Sequence, residues 1–373
     1  MDTLLWIGGV LLFLLVLMIS VGLHEGGHMV VAKKLGVKVP EFFVGFGQKI
    51  WSFKRKGTEY GIRWIPAGGY VRIVDENVEK GKPEREMLSY VKPWKRQLIF
   101  AAGPAVNIVL GFVILIATFM IFPYEVPNTT VDKINTCSAE EVACGAREAG
   151  IQPGDRVISI DGVPIRKNED FNEPLRNKAT ATITVLRDGE KITFEDVTLA
   201  DNRMGIDLKV DEIHRGFGES LAATGTLLRM TVEGVLAIPE QIPAVVKSIY
   251  TGERDADTPG SVVGAGNAYG EIAATNQLDI GEKIRTWMMV AGGVNLSLGF
   301  INLLPIPPLD GGKMLIALMD TIRSGFSKLR RREYKPTPYG LVKWMTAIPA
   351  VFIFGIMGLL ILADIVAPMS LFH

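Results

Sequence analysis

Hydrophobic and polar positions along this 373-residue chain fall into long blocks separated by segments of short period. Four stretches, 3–23, 97–124, 286–309 and 344–363, carry no charged residue over about twenty positions or more. At about 1.5 Å of rise per residue, each can cross about 30 Å of hydrocarbon as a helix. The segments between them read differently. Residues 42–75 alternate apolar and polar around "FKRKGTEY", which predicts a hairpin turning at Gly57. In 148–165, "EAGIQPGDRVISIDGVPI", glycines at 150 and 154 mark turns, Arg156–Ile160 reads as a strand, and an Asp-Gly turn follows. "ATITVLRDGEKITFEDVTL", 181–199, reads as two alternating strands around Asp188-Gly189. Parts of 216–285, such as "LLRMTVEGVLAIPEQIPAVVKSIY", have the pattern of amphipathic helices lying on a membrane surface, and "TPGSVVGAGNAYG" reads as a glycine-rich linker.

The expected fold is therefore a polytopic α-helical membrane protein with four transmembrane helices, an inserted β-rich domain and a β-hairpin. Four regions follow: 1–124, the first two spans with the hairpin; 126–210, the β-rich insertion; 216–285, the membrane-surface segment; and 286–373, the last two spans. Asp2 replaces a basic start and no A-x-A-like site follows, so the first apolar run reads as a retained span rather than a cleaved signal. Lysine and arginine crowd into 33–96 and 310–343, which the positive-inside tendency assigns to the cytoplasm. Both termini and the long middle region then lie outside. With 40 basic and 40 acidic residues, the charge balance gives no reason to expect a nucleic-acid partner. Cys137 and Cys144 fall in the exterior region, where a disulfide is permitted. On one continuous helix they would stand about 10 Å apart, too far to bridge, so the segment is non-helical or the thiols are free.

An ionisable group in a span marks a function by default. The first span ends in His24-Glu25-Gly26-Gly27-His28, an H-E-x-x-H pattern, and the chain has only four histidines. On a helix, positions i and i+4 share a face, so His24 and His28 can converge on one zinc ion, with Glu25 placed to take a proton from water. The plainer alternative is a pair of interfacial histidines. A third ligand has to come from the same membrane depth, and His214 and His373 are poorly placed for it. The end of the third apolar stretch offers Asp310 in "INLLPIPPLDGGK", after prolines 305, 307 and 308 that cannot continue a helix. Asp310 is a zinc ligand there, or the start of a cytoplasmic turn. Asn302 holds a substrate carbonyl or the loop, or else only caps broken backbone. Gly103, Pro104 and Asn107 open the second span, where close helix packing is the expected role.

With these residues in view, the chain resembles the site-2 protease family of intramembrane zinc metalloproteases, in its bacterial form with a PDZ-like insertion. HEGGH at 24–28, the GFG of "FFVGFGQKIW", "IPAGGYV" at 65–71, "AAGPAVN" at 101–107 and the complete N-x-x-P-x-P-x-L-D-G from Asn302 to Gly311 carry the resemblance. It implies one Zn2+ per chain held by His24, His28 and Asp310, with Glu25 as catalytic base. It also implies hydrolysis of a peptide bond within the transmembrane segment of a pre-cut single-pass membrane protein, such as an anti-sigma factor or signal-peptide remnant. The location implied is the bacterial cytoplasmic membrane, with the active site near the cytoplasmic side. The hairpin, running into Gly68 and Gly69, would pair with substrate as an added strand. Asn107 would touch the catalytic helix. The PDZ-like module would bind the exterior end of a substrate or exclude bulky ones, or serve only as a scaffold. Ser297 stands where some relatives carry a further asparagine, so no substrate role passes to it. The rival class is a non-catalytic membrane scaffold or chaperone with a structural metal, which would have no use for Glu25.

Overall fold

The computed structural model describes residues 2–73, 88, 91–135, 145–200, 203–254, 258–331 and 339–369. Cys137 and Cys144, and with them the disulfide alternative, lie outside the described residues. The chain forms two compact units, Met1–Thr118 with Phe217–His373, and Phe119–Gly216.

The first unit opens with helix α1, Asp2–Lys34, which carries the apolar run and the H-E-x-x-H residues on one continuous helix. Strands β1, Glu41–Arg55, and β2, Thr58–Arg72, form the expected hairpin. Its turn is Lys56-Gly57, both left-handed at φ 47° and 77°, which suits the twist of a two-residue hairpin. The hairpin curls, so that residues 41–44 pair with 59–62 on one side and with 69–72 on the other. Helix α2 follows, Pro93–Ile121.

The second unit is a β-sheet fold. It comprises β3, Tyr124–Ile134; a short helix α3, Gly145–Ala149; β4, Arg156–Ile160; and β5, Val163–Pro164. After a short α4, Asn172–Leu175, come β6, Thr180–Arg187, β7, Glu190–Thr198, and β8, Ile206–Ile213. The sheet order is β7-β6-β4-β3-β8, with β5 paired to β4. The β6–β7 turn is Asp188-Gly189, again left-handed at both positions, φ 50° and 89°. Alternate strand residues Val157, Ile183, Val185 and Val197 fill the core. One charge sits within this unit almost fully covered: Asp155, gripped by Arg187 through Nε and Nη at 2.7 Å each, with the Gln152 N–H donating at 2.8 Å.

The rest of the first unit is helical: α5, Phe217–Thr251; α6, Val262–Ala274; α7, Ile280–Leu303; α8, Asp310–Leu329; and α9, Tyr339–Val366. Among the described residues five helices are long and apolar enough to cross a membrane, namely those built on the four expected stretches and α5. The pattern of 216–285 thus resolves into helices, and "TPGSVVGAGNAYG" is no linker. Ser261 caps α6 by accepting from the Val263 N–H at 3.0 Å. The glycines let α6 lie against α1: a Cβ on Gly270 would fall 2.5 Å from the Trp6 ring, and one on Gly9 would fall 2.3 Å from the Tyr269 carbonyl oxygen. Tyr269 donates to the Trp287 carbonyl at 2.7 Å, tying α6 to α7 as well. Helix α7 starts earlier than the uncharged run because Asp279 and Glu282 form a reciprocal capping box.

Close helix approach continues between α2 and α7. A Cβ on Gly299 would meet the Pro104 carbonyl at 3.0 Å, and one on Gly292 would meet the Leu115 side chain at 2.5 Å. Without Cβ atoms the backbones come near enough for dispersion contacts to hold helices together in lipid. At the ends of α5 and α9, the buried carboxylate of Asp364 pairs with Arg254 and accepts from the N–H groups of Ser261 and Gly264, at 2.7 and 2.9 Å.

Burial alone would raise the Asp155 carboxyl, but Arg187 and the Gln152 N–H outweigh it and hold the group below the usual carboxylate range. A group depressed on folding adds stability above its unfolded value and loses it as pH falls through the folded one. Arg187→Leu should therefore lower the thermal midpoint of the 119–216 unit by about 5 °C or more at pH 7. The gap from wild type should close as pH falls through the carboxylate range, followed by amide exchange in β4 and β6 of the full chain. An equal gap at every pH would contradict this.

Candidate metal centre

Three donor atoms from two distant parts of the chain meet in the first unit. His24 Nε2 lies 3.2 Å from His28 Nε2, and Asp310 Oδ2 lies 3.1 Å from the first and 3.0 Å from the second. All three residues are buried. The histidines come together because α1 is unbroken through 24–28, so the four-residue spacing stacks them one turn apart. Asp310 arrives by the opposite device. Helix α7 stops at Leu303, the proline-rich stretch cannot continue it, and α8 restarts at Asp310.

The surroundings fix how the donors point. His28 Nδ1 sits 2.7 Å from the Ile99 carbonyl of α2, which can only accept, so Nδ1 carries the proton and Nε2 turns its lone pair toward the cluster. Asp310 Oδ1 accepts from Lys313 Nζ at 2.8 Å, leaving Oδ2 for the histidines. Gly103 closes one side: a Cβ there would lie 2.3 Å from His28 Nε2 and 2.8 Å from His24 Nε2. Gly27 lets α1 meet α2, since a Cβ on it would fall 2.6 Å from the Ala102 carbonyl. Asn295 of α7 donates at 3.0 Å to Ser20, one turn before His24, and so fastens α7 to α1.

The donor set fits zinc. A lone pair on His28 Nε2 facing a carboxylate oxygen at 3.0 Å is repulsive unless a cation is shared between them. Donors held about 2.0–2.1 Å from a tetrahedral zinc stand about 3.3–3.4 Å from one another, close to the separations found. Two neutral imidazoles and one carboxylate also make a three-ligand set of the kind that keeps a fourth position open for chemistry.

The other expected residues are placed unevenly. Glu25 is half-buried on the same turn of α1, within electrostatic reach of His24, His28, Asp310 and Lys313. Gly69 of β2 lies beside it, where a Cβ would come 3.4 Å from Glu25 Cγ and 3.2 Å from Val21. Gly68 is left-handed at φ 136°, and a Cβ there would strike Phe46 at 2.6 Å. Asn302 donates to the Leu298 carbonyl at 2.9 Å, closing on its own helix instead of the cluster. Asn107, one turn beyond Gly103, is fully buried, and its amide has no hydrogen-bond partner among the described residues. Sequence reasoning missed Lys313 as a partner of Asp310, although an i, i+3 spacing at a helix start would have suggested it. It also missed the Ile99 carbonyl, which no side-chain motif can reveal.

Residues 12–337 match the sequence model of Peptidase family M50. The chain is similar to the zinc metalloprotease Rip1 of Mycobacterium tuberculosis (strain ATCC 25618 / H37Rv), 32% identical over 410 residues that take in 99% of this chain and 100% of that relative. It is likewise similar to zinc metalloprotease Rip1 of Mycolicibacterium smegmatis, 32% identical over 413 residues, covering 98% and 99% of the two chains. The chain belongs to peptidase family M50, the site-2 proteases. It is a zinc metalloprotease, and its long apolar helices make it a multi-pass membrane protein.

Gly103→Ala should weaken zinc binding about tenfold or more by pushing the imidazoles off their positions. Gly26→Ala, where an added Cβ meets nothing within 4 Å, should leave it unchanged. Zinc content of the two purified variants after dialysis against a graded chelator series reads the difference, and equal retention would contradict the packing described.

Proposed function

We propose that this protein hydrolyses a peptide bond within the membrane segment of a single-pass membrane protein already cut on its exterior side, with His24, His28 and Asp310 holding one zinc ion and Glu25 as the catalytic base. Anti-sigma factors and signal-peptide remnants are the substrate classes the family resemblance implies. The observation that carries this reading is the buried meeting of His24 Nε2, His28 Nε2 and Asp310 Oδ2, all within 4.8 Å, with a carboxylate next in sequence to the first. Bound zinc supplies Lewis acidity, which polarises a peptide carbonyl and acidifies water. Glu25 takes the proton of the attacking water on its carboxylate and passes it to the leaving amide nitrogen. The Ile99 carbonyl keeps the proton of His28 on Nδ1, and Lys313 holds the second oxygen of Asp310, so both ligands stay oriented through the reaction.

A helical substrate hides its carbonyls in its own hydrogen bonds, so it has to be held extended before cleavage. The segment 69–72, paired on one side with 41–44 and lying beside Glu25 at Gly69, suits an added strand. Exposed Trp51, Phe53 and Trp64 on the hairpin suit contact with lipid. The role of the 119–216 unit is that of a PDZ-like exterior domain, contacting or filtering the exterior end of the substrate.

Four spans, α1, α2, α7 and α9, accord with the contacts at the ends of α5. Arg254, just past α5, pairs with Asp364 at the end of α9, and α6 lies against the first third of α1. With both termini exterior, those contacts support an exterior position for the end of α5. Helix α5, which carries Pro239 and Pro243 in its interior, then lies along the outer surface instead of crossing. The basic segments 33–96 and 310–343 face the cytoplasm of a bacterial cytoplasmic membrane, and the zinc ligands lie near that side.

Glu25→Gln should keep stoichiometric zinc yet cut a reconstituted single-span substrate about a thousandfold more slowly. Zinc retained with cleavage undiminished would rule out Glu25 as the base and return the protein to the scaffold class.

A further inference from the structure

Helix α8 begins with the metal-site carboxylate Asp310 and then presents two different faces. One face is buried against the protein, through Ala317 and Asp320. The other bears Leu318, Met319, Ile322, Phe326 and Leu329, all exposed. Spacings of four, four and three between 318, 322, 326 and 329 align them along one side of the helix. That arc is too continuous for a water-facing surface. Arg330 and Arg331, both exposed, follow directly after it, and Arg323 borders it at one turn's distance.

The depth of α8 is fixed independently. Asp320 pairs with Arg96 of α2 at 3.4 Å, both largely buried. Arg96 stands beside Trp94, which is exposed with Lys95 Nζ 5.6 Å from its ring centre, and two residues before the exposed Leu98. A tryptophan and basic residues at the mouth of an apolar helix mark the headgroup level of a bilayer. The middle of α8 is pinned at that level.

We propose that α8 is an in-plane lipid anchor. Its 318–329 arc is seated among the acyl chains of the inner leaflet, and Arg323, Arg330 and Arg331 are set against anionic phospholipid headgroups. The arc is exposed, as Leu98 is two residues past Arg96 on α2, and its basic border complements an anionic leaflet. Because the helix starts at Asp310, seating it on the leaflet also sets the depth and angle of that carboxylate, so the lipid surface becomes a partner of the zinc site. The location of the leaflet rests on the cytoplasmic orientation proposed above.

The test uses the full chain in vesicles of phosphatidylcholine with or without about one third phosphatidylglycerol. A spin label is attached at Phe326→Cys in a background with Cys137→Ser and Cys144→Ser. The label should be accessible to oxygen and shielded from a water-soluble nickel chelate. Phosphatidylglycerol should raise the rate of substrate cleavage at least threefold, and Arg323→Gln with Arg330→Gln and Arg331→Gln should abolish that rise while zinc content stays at one per chain. A label open to nickel would overturn the proposal. So would a label shielded from both reagents, which would mean that protein, a second copy or another part of this chain, covers the arc. A cleavage rate indifferent to phosphatidylglycerol would overturn the coupling to the site. Loss of all cleavage in wild type under every lipid condition would instead count against the peptidase reading itself.

Discussion

Three buried donor atoms about 3 Å apart, His24 Nε2, His28 Nε2 and Asp310 Oδ2, are the constraint on which the first unit is built. With His28 protonated on Nδ1, its Nε2 lone pair faces the carboxylate, a contact that a shared cation makes favourable. On the function proposed above that cation is zinc, which would link the start of the chain to the break after α7. The same geometry explains why the three donors come from one continuous helix and one interrupted helix. A continuous α1 is the shortest way to stack two imidazoles, and a carboxylate meets them most readily where backbone is released from its own ladder.

Helices in lipid gain little from burying apolar side chains against each other, so the bundle relies on close backbone approach and a few polar ties. Gly9 and Gly270 admit α6 to α1, Gly27 and Gly103 admit α2 to the histidines, and Gly292 and Gly299 admit α7 to α2. The Asn295–Ser20 hydrogen bond and the Asp364–Arg254 pair then fix sliding and rotation that glycine contacts alone leave free. Site geometry to a few tenths of an ångström thus depends on residues with no side chain at all.

Much of this was legible in the sequence, for physical reasons that differ by element. The spans announced themselves by the absence of charge, the two hairpin turns by Lys56-Gly57 and Asp188-Gly189, and the donors by their four-residue spacing and by a carboxylate following prolines. What escaped was whatever depends on a partner element. The segment 258–270 has the composition of a linker, but Gly266 and Gly270 serve the α1 contact and Gly264 the approach to Asp364, and only the packed structure distinguishes the two. Helix α5 has length and apolarity enough to span, so hydropathy alone does not set it apart from the expected four, and the Arg254–Asp364 contact just past its end is not written in its own sequence. Lys313 reads as a topological charge until the helix starting at Asp310 turns it back on that carboxylate.

The most direct test of the shared-cation account is zinc K-edge X-ray absorption on the purified full-length protein. The expected spectrum has a shell of nitrogen and oxygen at about 2.0–2.1 Å with outer scattering from two imidazole rings. A sulfur shell at about 2.3 Å, which would implicate Cys137 or Cys144, or a spectrum without imidazole scattering, would contradict it.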